Sequence, residues 1–366
     1  MNRNDAATMR LASQGLSQSR FRNPEDVVDW MGMVQAQDYS QFRWAVGMRT
    51  EKPKIDAVRD AFSSGKILRL HLMRCTIQAV TPQDLAWMRE LCREKNLRTI
   101  QSWSSCNQIE FSDQYYNEGT EALKEILASG KSLCKAEISK ELARLNFAAD
   151  TTHIRQLLLR GEIEGLLCSG KMKGKDSTWA LASERTKNFP QHTPSSQSEA
   201  LGLLARKYFR SHSPAGFEDF CWWTGLTIAQ NRKAVEQIAT ELEEVQVEGQ
   251  KMFIYNGSPG ICDCTTHTAQ EKNVMLLPPY DEYLIGYKSR WVSLDKRHEG
   301  KAHNSFGIFK PVILHKGRVV GNWRASIDKG TRKVETEVFA NKRSVGARKL
   351  QKAIEAFRDF CATEQS

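Results

Sequence analysis

The sequence predicts an α+β chain with three tandem winged-helix (helix-turn-helix) repeats followed by a C-terminal β-rich segment. Two observations carry this. A pattern of three helices and a β-hairpin recurs three times over residues 1–256, and residues 257–366 change to strand-like runs with one closing helix. Neither a Walker loop nor a dinucleotide fingerprint is present: Gly174-Lys175 is followed by Asp176 and lacks the upstream glycine such a loop needs.

In the first unit, residues 1–115, a helix near 6–14 precedes one with a well-marked start. Asn23-Pro24-Glu25-Asp26 supplies a capping side chain, proline at the first helical position and acids at the positive end of the dipole. Val27, Trp30, Met31 and Val34 then recur at i, i+3, i+4 and i+7, which predicts one buried stripe. A third helix is expected over 55–64, stopped by Gly65. Apolar runs at 67–70 and 77–80 bracket His71-Leu72-Met73-Arg74-Cys75-Thr76 as a hairpin. Thr81-Pro82-Gln83-Asp84 caps a further helix carrying Leu85, Met88, Leu91 and Cys92.

The second unit, 116–186, repeats the pattern with helices over 121–129, 135–145 and 151–160, the last ending at Gly161, and strands over 163–168 and 178–181. Between the strands lies a glycine-flexed basic loop holding Lys171, Lys173 and Lys175. These lysines either contact phosphates, which gives affinity without sequence reading, or keep a solvated loop soluble. Residues 187–197, with Phe189-Pro190 and Thr193-Pro194, read as a linker. The third unit, 198–256, has helices over 198–209, from Ala215-Gly216-Phe217 onward and over 227–242, then a hairpin of 245–247 and 251–255. In 257–366, strands are expected at 274–277, 307–314, 319–323 and 334–339, with a tight turn at His315-Lys316-Gly317-Arg318 and a closing helix over 344–360.

The 366 residues carry a formal net charge of +10 and a pI of about 9.1, which favours a polyanionic partner, nucleic acid ahead of a membrane surface. No apolar run is long enough to span a bilayer, and Met1-Asn2-Arg3-Asn4-Asp5 lacks the core of a signal peptide, so a cytoplasmic, nucleoid-associated location is expected. Nine cysteines, an odd number, read as reduced thiols. Cys262-Asp263-Cys264 with His267 resembles metal ligands but lacks a matching second pair, so neither a metal nor another cofactor is expected.

Val34-Gln35-Ala36-Gln37-Asp38 follows the capped helix. Within a helix, residues two apart point to different faces, whereas in an extended segment they share one. If Gln35 and Gln37 act on one reacting centre, the helix must end near Ala36; otherwise both are ordinary polar residues at a helix end.

With these segments in place, the chain resembles a bacterial winged-helix DNA glycosylase of the AlkZ/YcaQ type. The resemblance extends across nearly the whole chain. It rests, in order, on Gln35-Ala36-Gln37-Asp38; on Leu72-Met73-Arg74-Cys75-Thr76-Ile77-Gln78 with Asp84; on Asp219-Phe220 before Trp223-Thr224-Gly225-Leu226; on Leu277-Pro278-Pro279-Tyr280-Asp281-Glu282-Tyr283-Leu284-Ile285-Gly286-Tyr287; and on Gly307-Ile308-Phe309-Lys310-Pro311 with Gly317-Arg318-Val319-Val320-Gly321-Asn322-Trp323. It implies three tandem winged helices around a concave basic surface, and excision of alkylated purines, including the unhooking of interstrand crosslinks. It places Gln35 and Gln37 on the two glutamines of the family's Gln-aliphatic-Gln catalytic motif. The YcaQ branch has aspartate at the second position, so this chain is more similar to the AlkZ branch. Gln78, where many relatives have histidine, and Ser289-Arg290, where Asp-Arg is usual, are departures that bear on substrate choice.

Breaking an N-glycosidic bond builds positive charge on the sugar. A glutamine amide holds water and sets a carbonyl dipole against that charge, but does not readily protonate a leaving base. The pair therefore suits N3- or N7-alkylated purines, already cationic. Asp38 is either an extra anion or base, or a surface residue or local turn acceptor. Lys288, Arg290, Lys316 and Arg318 join the loop lysines as candidate DNA contacts. Trp44, Trp222, Trp223, Trp291 and Trp323 either stack at a lesion or, as is commoner for tryptophan, pack the core. The expected partner is double-stranded DNA with alkylated or crosslinked purines. Three different repeats in one chain point to a monomer. The rival readings are a transcription regulator, which needs a base-reading helix and commonly a dimer, and a protein-interaction scaffold.

Overall fold

The computed structural model describes residues 1–109, 111–257, 274–328, 331–339 and 345–362; Cys262-Asp263-Cys264 and His267 lie outside them. Contacts divide the chain into two compact units, one formed by Met1–Arg59 with Gly202–Ser366, the other by Asp60–Leu201. Residues 1–115, one unit by the sequence reading, are thus shared between the two.

Helix α1 (Arg3–Ser13) starts with a capping box in which Asn2 accepts from the Asn4 and Asp5 N–H groups and Asp5 accepts from that of Asn2. Helix α2 (Pro24–Met31) begins where predicted but stops at Gly32, so Val34 lies outside it. Gly32 has φ 80, a conformation that favours glycine, and a Cβ there would stand 3.0 Å from Lys207 Cβ. The chain is then extended at β1 (Val34–Gln35) and enters α3 (Tyr39–Gly47), a helix that sequence periodicity does not announce. Residues 42–47 are all buried, so no apolar stripe alternates with a polar face. Four helices, with α4 (Ile55–Ser63), therefore precede the first hairpin where three were expected. That hairpin joins β2 (Leu68–His71) to β3 (Ile77–Val80), Leu68 opposite Val80 and His71 opposite Ile77. The helix after it, α5 (Pro82–Cys106), starts at the proline read from the sequence.

Helix α6 (Asp113–Leu127) begins at its Ser112 cap, earlier than the apolar pattern places it. After it come β4 (Leu133–Cys134), α7 (Lys135–Arg144), α8 (Thr151–Glu164), β5 (Leu167–Ser169), β6 (Thr178–Leu181) and α9 (Ala182–Thr186), with the strands ordered β4-β6-β5 and antiparallel. Helix α8 runs through Gly161 and ends at Gly165, so Ile163 is helical and not part of a strand. Gly161 serves close packing: a Cβ there would meet Leu167 Cδ1 at 2.8 Å. Leu123, Leu127, Ile138, Leu142, Ile154 and Leu157 form the core of this helix–hairpin assembly. The expected linker has neither helix nor strand over 187–196. It is nonetheless held, because the His192 N–H donates to Gln83 O at 2.9 Å and its ring Nδ1 lies 2.8 Å from Asp84 Oδ1.

Helices α10 (Gln197–His212), α11 (Phe217–Thr224) and α12 (Ile228–Glu236) lead to the hairpin of β7 (Leu242–Val247) and β8 (Gln250–Tyr255). Helix α12 stops short of the predicted end, and Leu242 opens the strand. Strands β9 (Val274–Leu277), β10 (Val312–His315), β11 (Arg318–Asp328) and β12 (Thr331–Val338) form an antiparallel sheet in the order β12-β11-β10-β9. Between β9 and β10 lie the short α13 (Glu282–Ile285) and α14 (Glu299–Ala302). Residues 307–311, predicted as strand, are irregular: Asn304 Oδ1 takes the N–H groups of Phe306 and Ile308, and Pro311 has none to give a ladder. Helix α15 (Ala347–Phe360) closes the unit. Its Phe357 and Phe360 pack on Trp44 with ring centroids 5.3 and 5.1 Å away, and Phe357 packs on Trp323 at 4.8 Å. The two indoles donate to Leu276 O and Leu277 O, both at 2.7 Å, which fixes α3 against the sheet.

Gly47, at the end of α3, leaves room for Phe360: a Cβ there would lie 2.3 Å from the ring. Gly47→Ala is therefore expected to destabilise the fold by about 1–3 kcal/mol through overpacking. Urea unfolding measures this, and an unchanged midpoint would show that α15 yields without cost.

Candidate active site

The segment from Gly32 to Asp38 is fixed at both ends. Upstream, Lys207 Nζ lies 2.9 Å from Asp29 Oδ1, and Arg210 also bonds Asp29, tying the end of α2 to α10. Burial raises the Asp29 pKa, yet Lys207 and Arg210 together hold it below its ordinary value. Downstream, Asp38 caps α3 by accepting the Gln41 N–H at 3.1 Å. This is a local acceptor contact, and Asp38 itself is exposed.

Gln35 is buried and Gln37 exposed. Gln35 Oε1 accepts the Gln37 N–H at 3.0 Å, so one glutamine side chain sets the backbone of the other. The Gln35 N–H donates in turn to Glu282 Oε1 at 2.9 Å. Helical pairing is absent at both positions, and side-chain acceptors replace it.

Glu282 and its neighbour Asp281 are buried at the start of α13, just past Tyr280, whose φ of 60 is uncommon outside glycine. Asp281 takes both arms of Arg49 at 2.8 Å and the Tyr283 N–H at 2.9 Å. Arg49 also donates to Ala45 O, Gln14 O and Gln14 Oε1. Glu282 Oε2 accepts from Trp223 Nε1 at 3.2 Å and stands 3.5 Å from His212 Nε2. Behind them Arg10 lies over the Tyr287 ring, 3.7 Å from its centroid, and 3.8 Å from Asp219. Burial pushes the Tyr283 hydroxyl up to about 12 and those of Tyr208 and Tyr287 well above the ordinary value, so all three remain neutral donors.

The predicted cations divide into engaged and available groups. Lys171, Lys175 and Lys316 are exposed and make no ion pair among the described residues. The turn residue Lys316 has φ 51. By contrast, Lys173 reaches Glu137 at 2.7 Å, Lys288 reaches Glu218 at 2.7 Å, and Arg318 lies 3.4 Å from Asp295. Arg290 is half-buried: its Nε donates to Leu284 O, and it lies over the Trp222 and Phe309 rings. Trp44, Trp223 and Trp323 are core residues, Trp291 donates to Gln250, and Trp222 is 39% exposed with its indole N–H on Ile285 O. Of the two departures, Gln78 is buried and donates to Thr76 Oγ1 at 2.8 Å, and the Ser289 N–H donates to Asp219 Oδ1 at 2.9 Å. Glu282, Trp223 and His212 stand far from the glutamines in sequence, and no spacing rule links them. The run from Leu277 to Tyr287 marks two carboxylates but not what they hold.

A sequence model of the family described as DNA glycosylase AlkZ-like matches residues 28–360. The chain belongs to this family, whose members are enzymes that hydrolyse N-glycosidic bonds in DNA. It is 25% identical over 323 residues to an interstrand DNA cross-link repair glycosylase of Streptomyces sahachiroi, which covers 86% of this chain and 85% of the relative. The solved structure of Streptomyces sahachiroi DNA glycosylase AlkZ matches it with a TM-score of 0.79 at 22% identity, over 99% of this chain and 97% of that one. The two share a mixed α+β fold.

The Lys173–Glu137 pair gives a pH test. The hydrogen bond from Lys173, with the Cys134 N–H behind it, holds the Glu137 carboxyl down at about 2. A depressed carboxylate contributes stability that is complete above its unfolded pKa and lost as pH falls through the folded one. Lys173→Met should raise the Glu137 midpoint toward the ordinary carboxylate range and remove stability at neutral pH, with no difference below about 2. NMR titration of Glu137 checks this; an unmoved midpoint would mean the pair does not form in solution.

Proposed function

We propose that this chain is a DNA repair glycosylase that hydrolyses the N-glycosidic bond of cationic N3- or N7-alkylpurines, including purines joined in interstrand crosslinks. The observation that carries the reading is the pair Gln35 and Gln37 on a non-helical segment, joined by the 3.0 Å contact from the Gln37 N–H to Gln35 Oε1. Family membership supports the reaction class, and the name of the Streptomyces sahachiroi relative supports the crosslink.

In this reading the C1′–N9 bond of an N7-alkylguanine breaks with its electron pair going to the base, which neutralises the cationic purine. Water oxygen bonds to C1′ and its extra proton passes to solvent. Gln37, exposed, holds that water. Gln35 keeps a second lone pair on Oε1 that faces the developing charge on the sugar. Neither amide protonates a base, so undamaged adenine and guanine, poor leaving groups without protonation, are spared. Asp38 is left to its capping role. No cofactor enters the reaction.

The three helix–hairpin segments within 1–115, 116–186 and 198–256 are read here as winged helices, working as a monomer on double-stranded DNA. Lys171, Lys175 and Lys316 are the direct phosphate contacts. Lys173, Lys288 and Arg318 join them only by leaving their carboxylates, an exchange that costs little for exposed pairs.

Single-turnover release of N7-methylguanine from duplex DNA, with affinity measured in parallel, tests the catalytic assignment. Gln35→Ala and Gln37→Ala should each slow release by about 10²–10³, roughly 2.7–4 kcal/mol of barrier, with affinity nearly intact. Gln37→Asp should retain part of the rate. Wild-type rates in both alanine variants would remove the glutamines from the chemistry, and no release by the unaltered protein would favour a DNA-binding protein without excision.

The phosphate contacts have their own test. Replacing Lys171, Lys175 and Lys316 with methionine should weaken binding to all DNA sequences alike and flatten the salt dependence by roughly one unit of slope per lost contact. A slope equal to that of the wild type would place these lysines away from the DNA.

A further inference from the structure

We propose that Glu282 is the positioning residue of the excision reaction, acting through the Gln35 backbone and depending on the length of its side chain. The inference rests on the reading of Gln35 as catalytic and adds the group that sets it. Gln35 has no helical partner for its N–H, because Gly32 has ended α2 and α3 has not begun. The donor therefore needs an acceptor, and Glu282 Oε1 meets it at 2.9 Å from 247 residues away in sequence. Gln35 Oε1 then takes the Gln37 N–H, so the position of one carboxylate oxygen is passed to both amides in turn.

Glu282 is itself held from several sides. Trp223 Nε1 donates to its other oxygen, and the ring of His212 packs beside it. The His212 ring is oriented by Ser211 Oγ, 2.8 Å from Nδ1, and stacks on Tyr208 with centroids 4.5 Å apart. Gly286 keeps this ring close to the acid: a Cβ there would lie 2.6 Å from His212 Nε2. Asp281, one residue earlier, anchors the start of the same short helix on Arg49. The carboxylate of Glu282 is thus held by partners on α10 and α11, separate from the segment that carries Gln35.

Such an arrangement distinguishes reach from charge. Glu282→Asp keeps the charge but withdraws the acceptor by one carbon–carbon bond. Glu282→Gln keeps the length and an oxygen for the Gln35 N–H. A displacement of this size in a reacting group costs about 100-fold in rate. Single-turnover release of N7-methylguanine is measured for both variants, for Gln35→Ala, and for each Glu282 change combined with Gln35→Ala, with DNA affinity and thermal melting for all. Glu282→Asp should lose about 100-fold in rate while keeping its DNA affinity, Glu282→Gln should recover most of that loss, and each should slow Gln35→Ala by much less than it slows the unaltered protein. A folded Glu282→Asp with wild-type rate overturns the proposal. So does a loss that multiplies with that of Gln35→Ala, since Glu282 would then act elsewhere. If Glu282→Asp fails to fold, Glu282→Gln decides alone: a loss as large as that of Gln35→Ala contradicts the proposal. A wild-type rate in Gln35→Ala is a different failure, that of the catalytic reading itself.

Discussion

Two adjacent carboxylates, Asp281 and Glu282, are taken out of water, and buried carboxylates are tolerated only where donors replace their hydration. Those donors come from distant stretches of chain: Arg49, Gln35 and Trp223. Satisfying one acid fixes the end of α3, and satisfying the other fixes the segment before it. Asp281 and Glu282 therefore hold the 32–49 stretch at two points, Arg49 and Gln35. Removing one partner would leave an uncompensated buried charge, which costs more than the pair itself contributes.

Local signals in the sequence are informative about element starts. The proline-led starts of α2 and α5, the stop at Gly65 and the turn at Lys316-Gly317 rest on side chains or φ values that act within a few residues, and they stand where the sequence places them. Signals that depend on surroundings mislead. Gly161 reads as a helix stop, but the glycine is there to admit Leu167. Residues 42–47 of helix α3 are all buried and so leave no stripe to read. The run 307–314 is apolar enough for a strand, but Asn304 and Pro311 withhold part of its backbone from the ladder.

The same distinction applies to the site. The two-residue spacing of Gln35 and Gln37 is visible in the chain, and so is the condition that they leave the helix. What holds them there is not, because Glu282 meets Gln35 across 247 residues. The basic loop likewise looks like three equivalent lysines. Lys173 differs from its neighbours only because Glu137 lies within reach on α7. Net charge indicates a polyanionic partner, while the distribution of carboxylates decides which cations are immediately available to it.

Amide hydrogen exchange at Gln35 in the unaltered protein tests most directly whether a buried acid sets the segment that carries Gln35 and Gln37. An N–H held by Glu282 inside the fold exchanges only when the unit containing it opens, so its protection should equal that of the buried amides of α10. Exchange at the rate of an open loop, with α10 still protected, would show that the segment moves independently of Glu282 and would contradict the account.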